Sequence, residues 1–453
     1  MNAGIKPKDG SDWSNFYTVE GFRNRGLEVV NMLSEYVAVS QARTRSHVLN
    51  SEAPLDRLNY WKSRIKSEIK AVDGTLFSED FLTELLQRSN HLHDPRYAGH
   101  QVAVPLPELA WLQAATALLN NGMAIDEMGP ASSPMEEAVM QSVAQFMGFG
   151  EEAGGILTHG GTLANLTALL AARQRKSEGN PWRDGATRPC ALLVSEQAHY
   201  CVDRAARVMG WGAEGIIQVP TDSAHRIIQS ELVAAHEAAV NKGLEVIAVV
   251  GNACTTSTGT FDDLVMLADF AEAQDLWFHV DGAHGAGQVF SEKHRGVLKG
   301  MERADSVAMD FHKMLGIPAL CTGLFYRKGS DAYSAFNQEA HYLYESEDEE
   351  WWNLSKRTFE CTKRMLSAAV FGIWEAHGPR LWESLVDRLI DRAKVAAAEI
   401  ERRPRWELFA TPQSNIVCFR LIDRDNSALR ARLIEQGPHY IVKTVLDGQT
   451  WLR

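Results

Sequence analysis

The sequence is poor in the features that mark several functional classes. Its 453 residues include six cysteines, Cys190, Cys201, Cys254, Cys321, Cys361 and Cys418. None lies in a C-x-x-C motif or at metal-ligand spacing, which argues against a metal scaffold and for reduced thiols in the cytoplasm. No apolar run reaches about 18 residues, so no membrane span is expected. The opening stretch, MNAGIKPKDG, has no apolar core of a secretion signal. Positive charge is also short: 46 Lys and Arg against 58 Asp and Glu give a net charge of -12. That sign does not invite nucleic acid, although it leaves room for a local phosphate site. There is no internal repeat and no low-complexity tract. What remains is an ordinary globular composition, in a chain long enough for more than one compact unit.

The first part of the chain reads as helical. Leu27, Val30, Leu33 and Val37 recur at helical spacing, which predicts one buried stripe. The stretch His93 to His100, rich in Pro, His and Tyr, reads as a loop. Ser133-Pro134 predicts another helix start, with Ser133 as N-cap and Val139, Val143 and Phe146 on the apolar face. Near residue 155 the pattern changes. Short apolar runs at 191–194, 246–250, 276–280 and 306–309 alternate with helical stretches such as Leu264 to Gln274. That alternation predicts an α/β fold with a mainly parallel central sheet and helices on both faces. Polar insertions fall at Ser177 to Pro189 and at Glu345 to Glu350, the latter an acidic run that reads as a solvated loop. Beyond Gly378 a weaker mixed pattern suggests a smaller domain.

In such a sheet ligands bind beyond the carboxyl ends of the strands. Polar groups gather there in this sequence. Ser195 to His199 follows the first run, Cys254, Thr255 and Thr256 the second, Asp281 the third, and Asp310, His312 and Lys313 the fourth. The segment His159-Gly160-Gly161-Thr162 precedes a helix, and a helix N-terminus after such a turn offers free N–H groups to an anion. A lysine just past a strand is commonly a solvent-exposed one. Here it stands in a cluster that suits an aldehyde cofactor, which needs an amine to form an imine. Pyridoxal phosphate also needs a carboxylate against its ring nitrogen, and Asp281 is the natural candidate. His199 is placed to stack on the ring.

The stretches HVDGAHG (279–285), SVAMDFHKMLG (306–316), THGGTLANLTALLAAR (158–173), SEQAHY (195–200) and TTSTGTFD (255–262) resemble the group II pyridoxal-phosphate-dependent decarboxylases. That family includes aromatic-amino-acid, glutamate, histidine and diaminobutyrate decarboxylases. The motifs come in family order and spacing, from near residue 20 onward. The resemblance implies the fold type I, aspartate-aminotransferase-like architecture with a small C-terminal domain. It implies an obligate homodimer whose active site lies at the subunit interface. The expected organisation is a helical segment at 1–95 that packs on the partner, a large cofactor-binding domain at 96–370 and a small α+β domain at 371–453. Family members continue for roughly 30 residues past the position of Arg453, so the small domain is expected to be incomplete.

Residue by residue, the resemblance assigns Lys313 as the Schiff-base lysine and Asp281 as the ring-nitrogen carboxylate. His199 becomes the stacking histidine, Gly161 and Thr162 the phosphate-binding turn, and Thr256 a threonine close to the cofactor. His312, before the lysine, falls near the phosphate. Tyr342 matches the tyrosine of a mobile loop that protonates the carbanion after carbon dioxide leaves. Arg453 matches the arginine that takes the substrate carboxylate, and His100 and Gln101 fall where the substrate side chain is received. Two positions depart from the family: His284 stands where many members have an aromatic residue, and Asp310 where animal members have Asn. Both are cofactor-contacting candidates. The implied reaction is decarboxylation of an L-amino acid to its amine. The alternatives are another reaction of the same fold type, such as carbon–carbon lysis, transamination or aldehyde synthesis, or a catalytically inactive interaction protein.

Overall fold

The computed structural model describes residues 17–66, 77–336 and 350–453. The chain forms two compact units. The first takes described residues up to His100 together with Arg424–Lys443 and Leu452; the second takes Gln101–Asp423, Thr444–Trp451 and Arg453.

The first unit is largely helical, with helices Val19–Gln41, Pro54–Lys66, Glu79–Arg88 and Asn426–Gln436. Thr18 and Ser78 cap two of them by accepting the N–H groups of Gly21 and Phe81. The predicted loop at 93–100 is interrupted only by Tyr97–Ala98, which pairs in parallel with Tyr440–Ile441. Val48, Tyr440 and Val442 form the small core. The stripe on the first helix corrects the sequence reading. Val30, Leu33 and Val37 are half-buried and Leu27 is 60% exposed. The described part of the unit covers that helix only in part.

The second unit is built on a seven-stranded sheet. Its strands are β1 Gly154–Thr158, β2 Cys190–Ser195, β3 Ile216–Val219, β4 Glu245–Asn252, β5 Trp277–Asp281, β6 Ser306–Asp310 and β7 Thr322–Tyr326. They lie in the order β1-β7-β6-β5-β4-β2-β3. All neighbours run parallel except β7, which is antiparallel to both β1 and β6. The four predicted apolar runs are β2, β4, β5 and β6, and the helix predicted from Leu264 runs to Ala273. Near-continuous apolar strands are what burial of both sheet faces demands.

Alternation along each strand sorts the two faces. Leu193, Val249, Val280, Val307 and Met309 face one core, and Leu192, Val194, Ala248, Val250 and Ala308 face the other. The second core is closed by helix Gly161–Lys176, whose Ala164, Ala168, Ala171 and Ala172 are fully buried. Small side chains let this helix approach the strands closely. By the same two-residue period, Asn252, Asp281 and Asp310 end their strands on the helix side. Outside the sheet, Trp406–Leu408 and Phe419–Leu421 pair antiparallel in a small C-terminal sheet behind the long helix Arg380–Glu401.

The helix predicted at Ser133-Pro134 runs from Ser132 to Phe146, and Ser133 is not its cap. The carbonyl of Gly129 accepts the N–H groups of both Ser132 and Ser133, so the preceding turn closes the helix start by backbone alone. Both serines are buried inside the helix. Val139 and Val143 face the core as expected, while Phe146 is partly exposed. Further along, Glu136 forms a buried ion pair with Lys363. Glu136 also accepts the N–H of Leu157 at 2.9 Å, and Lys363 donates to the Leu157 carbonyl at 2.6 Å, which pins β1 from both sides.

Removing one member of a buried pair strands the other charge. Lys363→Met is therefore expected to lower stability by about 3–5 kcal/mol. Chemical denaturation checks this, and an unchanged midpoint would show that the pair is not holding β1.

Candidate active site

Four strand ends and one helix start converge on a cavity of about 160 Å³. Its wall contains Gly161, Thr162 and Asn165 from the helix start, His199 and Cys201 from the segment after β2, and Asn252, Cys254 and Thr256 from the end of β4 and beyond. Asp281, Ala283 and His284 come from β5 and its exit, and Asp310, His312 and Lys313 from β6 and its exit. Register aligns them: Asn252 lies opposite Asp281, and Asp281 opposite Ala308.

Gly160 has a φ of 102°, a conformation that favours glycine and turns the chain into the helix. A Cβ on Gly161 would lie 3.2 Å from an Asp310 carboxylate oxygen, so glycine lets the helix start approach that carboxylate. Lys313 Nζ lies 3.0 Å from Asp310 Oδ2. Asp310 also accepts the hydroxyl of Thr322, and His312 Nε2 stands 3.7 Å from it. His312 is fixed by the backbone of Cys321, whose carbonyl lies 2.9 Å from Nδ1. Asp281 accepts the N–H of Ala283 at 3.2 Å, and the Cys201 thiol points at its other oxygen from 4.0 Å. His199 caps the helix Tyr200–Val208 by accepting the Cys201 N–H through Nδ1.

Charge and burial divide the site into two kinds of group. Burial works against the Lys313 charge, but the carboxylates of Asp310 and Asp281 outweigh it and raise the lysine above its ordinary range. Two histidines, His199 and His284, go the other way. Burial lowers His199, against the pull of Asp281. Burial, with Lys313 adding to it, holds His284 down to about 3. Burial pushes the Cys254 thiol up to about 12. The cavity thus presents one ammonium, two carboxylates and a ring of polar donors and acceptors. Among them, His284 gives Nε2 to Asn415 Oδ1 at 2.6 Å, while its Nδ1 is buried with no partner.

Of the residues singled out in the sequence, Lys313, Asp281, His199, Gly161, Thr162, Thr256, His312, Asp310 and His284 all line this cavity. Arg453 does not line it, but its guanidinium donates to the carbonyl of Thr256, which does. Gln101 belongs to the same unit, in a segment tied to the lysine loop by the bond from Ala103 N–H to His312 O, and its Nε2 is buried without a partner. His100 belongs to the first unit, with φ 52° and Nε2 3.0 Å from the Tyr440 hydroxyl. Arg96 is committed to the buried Asp94, 2.7 Å away. Tyr342 and most of the acidic run lie outside the described residues. The sequence reading gathered Cys254 at its strand end but missed Asn165, Asn252 and Cys201. Asn165 was findable, since it follows Gly161 by four residues and so shares its side of the helix.

Residues 77–422 match the family model described as the pyridoxal-dependent decarboxylase conserved domain. Among curated proteins, the chain is 31% identical over 306 residues to an L-aspartate decarboxylase of Metarhizium robertsii, an alignment spanning 67% of this chain and 61% of that protein. It is 31% identical over 370 residues to an L-2,4-diaminobutyrate decarboxylase of Rhizobium meliloti, spanning 79% of this chain and 71% of that one. The chain thus spans less than two thirds of the fungal relative's length. Among solved structures, Catharanthus roseus tryptophan decarboxylase in complex with L-tryptophan superimposes with a TM-score of 0.85 at 21% identity, over 96% of this chain and 93% of that one. At that identity the likeness speaks for the fold.

The neutral buried histidines set a pH dependence. Between the ordinary imidazole value of 6.5 and the depressed value of His284, the unfolded chain binds a proton that the folded chain refuses. His279, also lowered by burial, adds in the same direction. Stability must fall as pH falls through that window. Urea midpoints at about pH 7 and about pH 5 test it, with the lower midpoint expected at the acid end. Equal midpoints would mean that these rings are charged in the folded protein.

Proposed function

The chain belongs to the pyridoxal-dependent decarboxylases, so its cofactor is pyridoxal phosphate, and from that premise we propose that it removes carbon dioxide from an L-amino acid in this cavity. The observation that carries the proposal is that one half-buried amine, Lys313, shares a cavity with the buried carboxylate of the neighbouring strand end, Asp281, and with a helix N-terminus. The residues fit the group: amine, carboxylate, anion-binding turn and an unpartnered His284 Nδ1 share one cavity.

Bound pyridoxal phosphate supplies an aldehyde carbon that takes up an amine and a ring that accepts the electron pair left as carbon dioxide departs. Lys313 is the amine that would hold it. To do so the ammonium gives up a proton, and Asp310 Oδ2, at 3.0 Å, is in place to receive it. Asp281 would hold a proton at the ring nitrogen, because a carboxylate beside a nitrogen base favours the protonated, charged form of that base. The N–H groups at Gly161 and Thr162, at the helix start, would receive the phosphate. His199 would face the ring, with Thr256, His312 and His284 completing the enclosure. Arg453 would orient the substrate carboxylate, and Gln101 would meet the substrate's side chain. Tyr342 would deliver the proton to Cα as general acid.

We read the working form as a homodimer. The exposed apolar side chains of the first unit, Phe22, Leu27, Leu55 and Ile65 among them, support a surface that another copy covers. All six cysteines are free, which supports a reducing, cytoplasmic setting. No helix among the described residues is long and apolar enough to cross a membrane. Aspartate and 2,4-diaminobutyrate, named for the relatives above, are the first substrates to try.

The test is to incubate cofactor-loaded protein with a pool of amino acids and follow amines by mass spectrometry. One amine with matching carbon dioxide is expected. A cofactor-coloured protein that yields none would sink the decarboxylase reading and leave the cofactor assignment standing. Lys313→Ala is expected to abolish the adduct that borohydride fixes to the wild type; a fixed adduct in the variant would move the lysine role elsewhere. Tyr342→Phe is expected to keep the cofactor and slow amine release or divert product to aldehyde, and unchanged turnover would assign the acid to another residue.

A further inference from the structure

Two residues before Asp281, on the same face of β5, His279 is fully buried and does not line the cavity. Its hydrogen bonds have a direction that chemistry alone decides. Asn165 Nδ2 donates to the carbonyl of Gly161 at 2.8 Å, so Asn165 Oδ1 is the atom facing His279 Nε2 at 2.7 Å. An amide oxygen can only accept, so Nε2 carries the proton. Burial lowers the pKa of His279, so the ring is neutral and Nδ1 is left as the acceptor. Ser306 Oγ, 2.8 Å from Nδ1, therefore donates to it. Ser306 in turn receives the proton-only donor Trp277 Nε1 at 2.8 Å. All four links run one way, from Trp277 through Ser306, His279 and Asn165 to Gly161. The chain starts at the amino ends of β5 and β6 and ends at the helix start that borders the cavity.

We propose that His279 is a positioning residue for the cofactor, holding Asn165 and, through it, the first turn of the helix Gly161–Lys176 against the strand end that bears Asp281. The proposal rests on the pyridoxal-phosphate reading above. Without the His279 proton, Asn165 Oδ1 is buried and unsatisfied, and its amide is free to turn away from Gly161. The N–H groups of that turn then no longer point together at one anion. Asn165 Nδ2 carries a second proton beyond the one given to Gly161, and Asn165 itself lines the cavity, so the same link fixes a side-chain donor there. Helix stability does not need this link, since the buried alanines and leucines of Gly161–Lys176 hold it on the sheet.

The measurement is the dissociation constant for pyridoxal phosphate, read from the visible band as stripped protein is titrated. Wild type, His279→Leu, His279→Gln and Ser306→Ala are compared, with melting of the cofactor-free proteins recorded alongside. Glutamine can carry an N–H to the place of Nε2. We expect His279→Leu to bind about tenfold more weakly or worse, His279→Gln to come within about threefold of wild type, and Ser306→Ala to fall between. Affinity in His279→Leu and Ser306→Ala equal to wild type would overturn the proposal, as would a glutamine variant no better than leucine. If His279→Leu fails to fold, the contrast between His279→Gln and Ser306→Ala decides. A wild type that shows no band would overturn the cofactor reading itself, and this proposal with it.

Discussion

The ion pair between Lys313 and Asp310 is the constraint around which the site is arranged. Two carboxylates, Asp281 and Asp310, are buried at neighbouring strand ends. Removing such ions from water costs several kcal/mol each, and an adjacent cation with satisfied hydrogen bonds is what offsets it. Lys313 supplies the cation, Thr322 and Ala283 supply donors, and burial disfavours a charge on His199 and His284. A lysine held this way is charged and stationary until a ligand offers it a better use. The electrostatics of the resting site and its proposed chemistry are therefore the same arrangement seen twice.

That arrangement is a by-product of how the sheet is built. A period of two along β4, β5 and β6 places Asn252, Asp281 and Asp310 on the face that also receives helix Gly161–Lys176. The small residues of that helix bring its first turn close, and Gly161 leaves out a side chain that would crowd Asp310. Anion-binding backbone and carboxylates are thus brought within one cavity by packing. The buried Glu136–Lys363 pair does similar work at the sheet edge, fixing β1, from which the helix follows directly.

Much of this was legible in the sequence, because a buried parallel strand is an apolar run and its polar end stands out. The runs at 191–194, 246–250, 276–280 and 306–309 led straight to Asp281, Asp310 and Lys313. β1 and β7 were not read as strands, since Gly154, Gly155 and Gly323 dilute the β-forming signal, and so the antiparallel insertion was not foreseen. Ser133 looked like a cap because nothing local announces that Gly129 closes the turn. Leu27 looked buried because spacing reports which face is apolar and not what covers it. His279 was invisible as a functional candidate: inside an apolar strand it reads as core, and its meaning comes from Asn165 and Ser306, which are distant in sequence. The return of Arg424–Lys443 to the first unit was likewise beyond local pattern.

The antiparallel strand β7 has one more consequence. Because it turns back immediately beside β6, the segment from Phe311 to Cys321 is a loop clamped at its base. Asp310 lies opposite Thr322, the Phe311 N–H donates to the Cys321 carbonyl at 3.0 Å, and the Ile317 N–H donates to the Phe311 carbonyl at 3.2 Å. Lys313 is therefore a crane arm on a bolted pedestal: its backbone has nowhere to travel, and its reach comes from four methylene joints. Handing the amine from Asp310 to another partner is a matter of side-chain rotation on the timescale of rotamers, with no need for the slower rearrangement of a domain.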